Sequence, residues 1–105
     1  MANRVGFAIC SGKGFHITFK NDVTVSVQFG VASYSEHHDD DLSMIGKEKE
    51  HRHWESIDAE VAMWDKEGTW ITKEYFKDDC DDVYGWVTPD ELPELLAWAA
   101  NYTSD

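Results

Sequence analysis

Acidic residues are the most abundant chemically functional groups in this chain of 105 residues. The chain has 21 aspartate and glutamate residues against nine lysine and arginine residues, a net charge of −12. Residues 1–35 contain three basic residues and one acid, a net charge of +2, whereas residues 36–105 have a net charge of −14. Such a field attracts basic surfaces and repels nucleic acids and anionic membranes. The charge therefore argues against direct binding to DNA, RNA or a membrane.

The acidic residues lie in four clusters, and this arrangement suggests that the protein mimics nucleic acid. Duplex DNA carries one charge per ~1.7 Å of axis, so a length equal to the diameter of such a domain holds about twenty phosphates. Clusters sharing one face could occupy a basic nucleic-acid channel in another protein; the alternative is that the charge serves only solubility. We predict that the first and third clusters bind the partner. The four clusters are Glu36, Asp39, Asp40 and Asp41; Asp58 and Glu60; Asp78, Asp79, Asp81 and Asp82; Asp90, Glu91 and Glu94.

Histidines provide an alternative candidate, a metal site. His37, His38, His51 and His53 fall within 17 residues. In an extended segment His51 and His53 point to the same side, as a Zn²⁺ or Ni²⁺ site requires, and His37 would be the third ligand. The spacing matches no standard zinc finger, and the other interpretation is a solvated, pH-sensitive loop.

No residue pattern selects a catalytic group. Cys10 and Cys80 have neither metal nor redox spacing. The negative field of four neighbouring aspartates also disfavours a reactive thiolate at Cys80. Ser11-Gly12-Lys13-Gly14 is too short for a phosphate-binding loop and precedes a strand rather than a helix. We therefore expect a protein that is not an enzyme and needs no cofactor.

The aromatic surplus offers a further alternative, a small-ligand pocket. The chain has five Trp, five Phe and four Tyr residues. Trp64, Trp70, Trp86 and Trp98 could line a pocket between a helix and a sheet, where the negative field would favour a cationic ligand. The competing interpretation is ordinary packing, because large aromatic side chains dominate the cores of small domains.

The stretch FHITFKNDVTVSVQFG, residues 15–30, is the element best suited to position these groups. Its apolar residues alternate strictly on both sides of Asn21 and Asp22, which predicts two half-buried strands joined by a turn. A two-residue turn would place the apolar sets on opposite faces, whereas a three-residue turn at 20–22 places both on one face. Asp22 must then adopt the left-handed conformation that glycine prefers. The predicted pairs are Phe19 with Val23, Ile17 with Val25 and Phe15 with Val27.

Further strands and one helix complete the predicted fold. Alternation predicts strands at 5–9 and 57–63 and shorter ones at 69–72 and 83–87. Thr88, Pro89 and Glu91 form a capping box at the start of a C-terminal amphipathic helix. Pro93 leaves two alternatives: a helix from Pro89 that lacks an early hydrogen bond, or a 3₁₀ turn followed by a regular helix from Pro93.

These elements predict an α+β fold, a four- or five-stranded, mainly antiparallel sheet with one C-terminal helix packed on one face. We expect a single domain, residues 1–105, with a long polar loop at 36–56. No apolar run approaches the ~20 residues that span a bilayer, and the N-terminus lacks a signal-peptide pattern. We therefore expect a cytoplasmic protein.

Three segments together resemble small uncharacterised proteins carried by tailed bacteriophages and prophages. They are GFHITFKNDVTVSVQFG at 14–30, AEVAMWDKEGTW at 59–70 and GWVTPDELPELLAWA at 85–99. The chain departs from that pattern at Asp22, where glycine is more usual, and at Pro93. The resemblance supplies no catalytic motif, but it implies a context in which small proteins often inhibit host defence or host enzymes.

Together, charge and resemblance predict an acidic interaction protein that binds a basic surface of a host protein. The predicted mechanism is nucleic-acid mimicry that inhibits a host defence or nucleic-acid enzyme. The alternative is a metal-binding or small-ligand-binding domain that uses the histidine-rich loop at 37–53.

Overall fold

The computed structural model describes residues 4–10, 13–31, 33–36, 38–40, 47, 55–77 and 82–103. Within these ranges, five strands form one antiparallel sheet in chain order, β1-β2-β3-β4-β5. The expected α+β fold with a C-terminal helix is confirmed. The predicted loop at 36–56 lies largely outside the described ranges and stays a prediction. The elements are β1 (Gly6–Ile9), β2 (Gly14–Thr18), β3 (Thr24–Gln28), β4 (Ala59–Trp64), α1 (Thr72–Phe76), β5 (Val83–Val87) and α2 (Leu92–Ala100).

The β2–β3 hairpin has the predicted register. Ile17 lies opposite Val25, and the Phe19 N–H donates to the Val23 carbonyl at 3.0 Å. Asp22 has a φ of 65°, in the left-handed region that the three-residue turn demands. The Asn21 side-chain amide links this turn to a part of the chain that is distant in sequence. It donates hydrogen bonds to the carbonyls of Ala99 and Tyr102 at 2.9 and 3.1 Å. The hairpin is therefore attached to the end of α2.

The hydrophobic core lies between one face of the sheet and the two helices. Leu95 and Ala99 of α2 are fully buried against this face, and Ile71, just before α1, is buried with them. Burying a Val, Leu or Ile side chain contributes about 1.5–3 kcal/mol. The sheet contributes Val23, Val25, Val27, Val61, Met63 and Val87.

The opposite face of the sheet, here called the second face, is also largely covered. Thr18 and Thr24 are buried there with their hydroxyl oxygens 2.8 Å apart. His16 lies edge-on to Trp64 at 5.1 Å between ring centroids, and Trp64 meets Trp70 at 5.3 Å. His16 is half-buried on this face, and this burial lowers its pKa.

The connection after β4 differs from the prediction. Only Trp70 of the expected strand at 69–72 pairs with β4, through a bridge to Trp64. The chain then enters α1, because the Thr72 hydroxyl replaces further ladder bonds. It accepts from the Met63 N–H at 3.0 Å and donates to the Asp82 carbonyl at 2.6 Å. The sequence predicted no helix here.

Only half of the predicted capping box forms, because the Thr88 hydroxyl bonds the Glu91 carboxylate rather than the Glu91 N–H, and α2 begins later than Pro89. The Thr88 N–H and hydroxyl both donate to the Glu91 carboxylate at 2.9 Å. Residues 89–91 form a turn and the helix begins at Leu92, one residue before the start given by the alternative of a regular helix from Pro93. The bonds from Thr88 lower the pKa of Glu91. In the described ranges, neither helix has the length and apolar character needed to cross a membrane.

Candidate protein-interaction site

A β-bulge in β5 creates the centre of the candidate site. Ala59 pairs with Val87 and Val61 pairs with Tyr84, so Gly85 and Trp86 together lie opposite the single residue Glu60. Trp86 has a φ of 55°, a left-handed conformation that is rare for a bulky residue. Bulges redirect side chains, and this one leaves Trp86 56% exposed.

The segment 33–36 lies directly against this bulge. The Trp86 N–H donates to the Tyr34 carbonyl at 2.8 Å. A Cβ atom at Gly85 would lie 2.5 Å from the Tyr34 Cβ, closer than side chains tolerate. Glycine at this position therefore permits the close approach that brings Tyr34 to Trp86.

Three rings form an exposed group, here called the aromatic cluster: Tyr34, His38 and Trp86. Tyr34 stacks on His38 with centroids 5.0 Å apart and lies 5.6 Å from Trp86. His38 and Trp86 are 6.3 Å apart. Tyr34 is 42% exposed, so two large rings are accessible side by side. Tyrosine and tryptophan are the residues most enriched at the energetic centres of protein interfaces.

Carboxylates of the first two acidic clusters hold this segment in place. Glu60 accepts from the Tyr34 N–H at 3.1 Å, and Asp58 accepts from the Glu36 N–H at 2.8 Å. Glu36 in turn accepts from the Ile57 N–H at 2.8 Å. Two clusters that are separate in the sequence are therefore adjacent in the fold, which the sequence did not predict.

Asp39 and Asp40 add negative charge beside the rings. Both residues are exposed, and Asp39 lies 3.0 Å from His38 Nδ1 with its side chain 99% accessible. A guanidinium or ammonium group can lie against an aromatic face while a neighbouring carboxylate accepts its hydrogen bond. We call the aromatic cluster together with its carboxylates the acidic–aromatic site; the carboxylates are Glu36, Asp39, Asp40, Asp58 and Glu60.

The remaining predicted site residues are placed only in part. Asp82 is exposed at the start of β5, where its backbone carbonyl accepts the Thr72 hydroxyl. Asp41, Asp78, Asp79 and Asp81 lie outside the described residues, as do the alternative ligands His37, His51 and His53. The metal site stays a prediction. Over the part of the chain that is described, no three His, Cys, Asp or Glu side chains are placed to hold a metal.

The four tryptophans that the structure describes do not share one pocket, so the suggested arrangement of Trp64, Trp70, Trp86 and Trp98 around a ligand is not found. Trp64 and Trp70 lie on the second face, Trp86 belongs to the aromatic cluster, and Trp98 packs against Tyr75 and Tyr102. A cavity of about 330 Å³ beside α2 has no tryptophan among its described lining residues. That lining is mainly apolar and includes Val27, Phe29, Val61, Val87 and Leu92, together with the acids Glu55 and Asp58.

The sequence prediction named Glu36, Asp39 and Asp40 as partner-binding residues but neither Asp58 nor Glu60. It missed Tyr34 and singled out Trp86 only as a pocket residue. The available signal was glycine before tryptophan inside a short strand, since an isolated glycine in a strand often marks a bulge. Only the pairing with β4 and the approach of 33–36 reveal how Trp86 is exposed. No protein family, curated protein or solved structure matches this chain.

Proposed function

We propose that this protein acts by binding a basic surface of another protein through the acidic–aromatic site. The observation that supports this proposal best is the exposure of Tyr34 and Trp86 beside a segment that the carboxylates of Asp58 and Glu60 hold in place. A purely solubilising acidic surface gives no reason to hold a tryptophan in a left-handed backbone conformation. Strained backbone tends to occur at binding and catalytic sites, where the surrounding structure maintains it.

The rings and the acids have different roles in this proposal. Buried on binding, Tyr34 and Trp86 supply most of the affinity, because aromatic anchors in desolvated positions dominate interface energetics. Contact between an arginine or lysine and such a ring contributes about 0.5–2 kcal/mol. The carboxylates mainly accelerate association and select basic partners. The net charge of −12 extends this attraction beyond the site.

The partner class follows from charge density and from the phage resemblance. Both support a host protein whose basic surface normally binds nucleic acid, in the cytoplasm of a bacterial cell. Occupation of that surface would inhibit the host protein by nucleic-acid mimicry. The protein acts in this proposal by binding alone, without catalysis or a cofactor.

Capture from a nuclease-treated bacterial lysate tests the proposal when matched variants are compared. Asp39→Asn with Asp40→Asn removes two charges at the site, and Glu67→Gln with Asp90→Asn removes two from exposed positions elsewhere. We expect the wild type and the second variant to retain the same basic protein. The first variant and Trp86→Gly should each reduce its recovery about tenfold, equivalent to about 1.4 kcal/mol.

The same capture experiment is repeated at different salt concentrations. Recovery should fall steeply between about 50 mM and 500 mM salt, because exposed charges are screened over that range. Equal recovery by the two charge variants would contradict the assignment of the site. Recovery that is indifferent to salt would contradict the proposed electrostatic mechanism.

A further inference from the structure

Among the residues that the structure describes, strand β1 pairs only with β2 and forms an edge of the sheet. Lys13 and Phe19, which flank β2, form backbone hydrogen bonds on the side of β3. The Gly14 carbonyl accepts from the Cys10 N–H at 2.9 Å, on the side of β1. Since alternate residues of an antiparallel strand bond to opposite sides, Ala8 faces β2. The backbone N–H and C=O groups of Phe7 and Ile9 therefore point away from the sheet.

The side chains of the same two residues are also exposed. Phe7 and Ile9 lie opposite Ile17 and Phe15, on the face that α2 covers further along the sheet. They are 82% and 85% exposed, more than any core-facing residue of β2 or β3. Natural edge strands are usually protected by a charged residue, a proline or a bulge. The segment Gly6–Ile9, GFAI, has no charge and no proline.

Charge restricts which partner can cover this edge. Residues 1–35 have a net charge of +2 within a chain of −12, so a basic partner is disfavoured here. The acidic–aromatic site lies by β5, four strand spacings or roughly 19 Å from β1. Because this exceeds the Debye length of about 8 Å at physiological salt, two copies can meet at β1 with their acidic regions apart.

We propose that β1 pairs antiparallel with β1 of a second copy, with Ala8 on the two-fold axis. Phe7 of each copy then lies opposite Ile9 of the other, which gives two hydrogen-bonded pairs and two aromatic–aliphatic contacts on one face. Gly6 and Ala8 are small, so the other face presents no steric obstacle. The two sheets become one continuous sheet of ten strands, in an isologous dimer that leaves both acidic–aromatic sites accessible.

Sedimentation velocity over a concentration series is the first test. The contact is small, so we expect the mass to rise from 12.0 kDa to twice that value with a dissociation constant on the order of micromolar. Ile9→Lys should raise this constant at least tenfold. Ile57→Lys is the matched control, because Ile57 is also an exposed isoleucine but lies outside the sheet. A monomer at all concentrations, or equal effects of both variants, would overturn the proposal.

A cysteine at the two-fold axis tests the register independently. Residues facing each other in a non-hydrogen-bonded antiparallel pair have Cα atoms about 4.5 Å apart, within disulfide range. In a Cys10→Ser, Cys80→Ser background, Ala8→Cys should form a covalent dimer under mild oxidation. Ala97→Cys, at an exposed position of α2, should not do so. Cross-linking of Ala8→Cys no faster than that of Ala97→Cys would contradict this pairing.

Discussion

Trp86 has a conformation and an exposure that fit a role in binding better than a role in stabilising the fold. Its left-handed φ of 55° is a conformation that costs a side chain with a Cβ atom about 1–2 kcal/mol. The ring regains part of this cost in contact with Tyr34 and His38. It nevertheless stays more than half exposed, so folding alone does not account for it.

Two substitutions at Trp86 separate backbone strain from the role of the ring. Trp86→Ala keeps a Cβ atom in the left-handed conformation, whereas Trp86→Gly removes it. We expect the glycine variant to be more stable than the alanine variant by about 1 kcal/mol in urea unfolding. Both should lose binding equally, since both lack the ring. Equal stability of the two variants would argue against the left-handed conformation.

His16 gives the second face of the sheet a weak pH dependence. Burial beside Trp64 lowers the pKa of His16 below its ordinary value of 6.5, because the charged form is poorly solvated. The unfolded chain therefore takes up the proton first as the pH falls. The stability that His16 contributes is present above pH 6.5 and is lost below it.

The measurement is urea unfolding at about pH 7.5 and 5.5, with His16→Gln as the control. The wild type should lose slightly more stability than the variant over this interval, and the loss is small because His16 is only partly buried. NMR titration should place the pKa of His16 below 6.5. A pKa above 6.5 would contradict the packing of His16 against Trp64.

At the scale of elements, the structure separates what local sequence dictates from what distant contacts decide. The β2–β3 register was predictable because a period of two and a single turn leave one arrangement with a shared apolar face. Helix α1 was not predictable from local sequence, because it depends on hydrogen bonds between Thr72 and both Met63 and Asp82. The same holds for the site, since the Gly85–Trp86 bulge requires both β4 and the segment 33–36.

The turn before α2 gives a prediction at this scale. Glu91→Ala removes the acceptor of both Thr88 donors and should reduce stability by about 0.5–1 kcal/mol at neutral pH. The pKa of Glu91 lies below its ordinary value of 4.5, so this contribution is present above pH 4.5 and is lost as the pH falls further. Thermal unfolding should thus show a difference that shrinks towards about pH 3. Asp90→Ala is the neighbouring control, and an equal effect of both variants would contradict the role of Glu91.

At the scale of the whole molecule, the two edges of the sheet have different characters. The β1 edge belongs to residues 1–35, which have a net charge of +2, and it exposes apolar side chains. The β5 edge lies beside the acidic–aromatic site. This polarity allows self-association and partner binding to use opposite edges without competition. Composition predicted the division of charge, but only the strand order places the two regions at opposite edges.

Photo-crosslinking from the centre of the site tests the central proposal most directly. A benzophenone amino acid at position 86 is compared in nuclease-treated bacterial lysate with the same residue at position 67, an exposed position in the turn after β4. We predict a crosslink to one protein from position 86 and none from position 67, with the crosslinked peptide rich in lysine and arginine. The yield should fall at high salt, because screening weakens the attraction. Equal crosslinking from both positions, or a crosslinked peptide without basic residues, would contradict binding of a basic surface at this site.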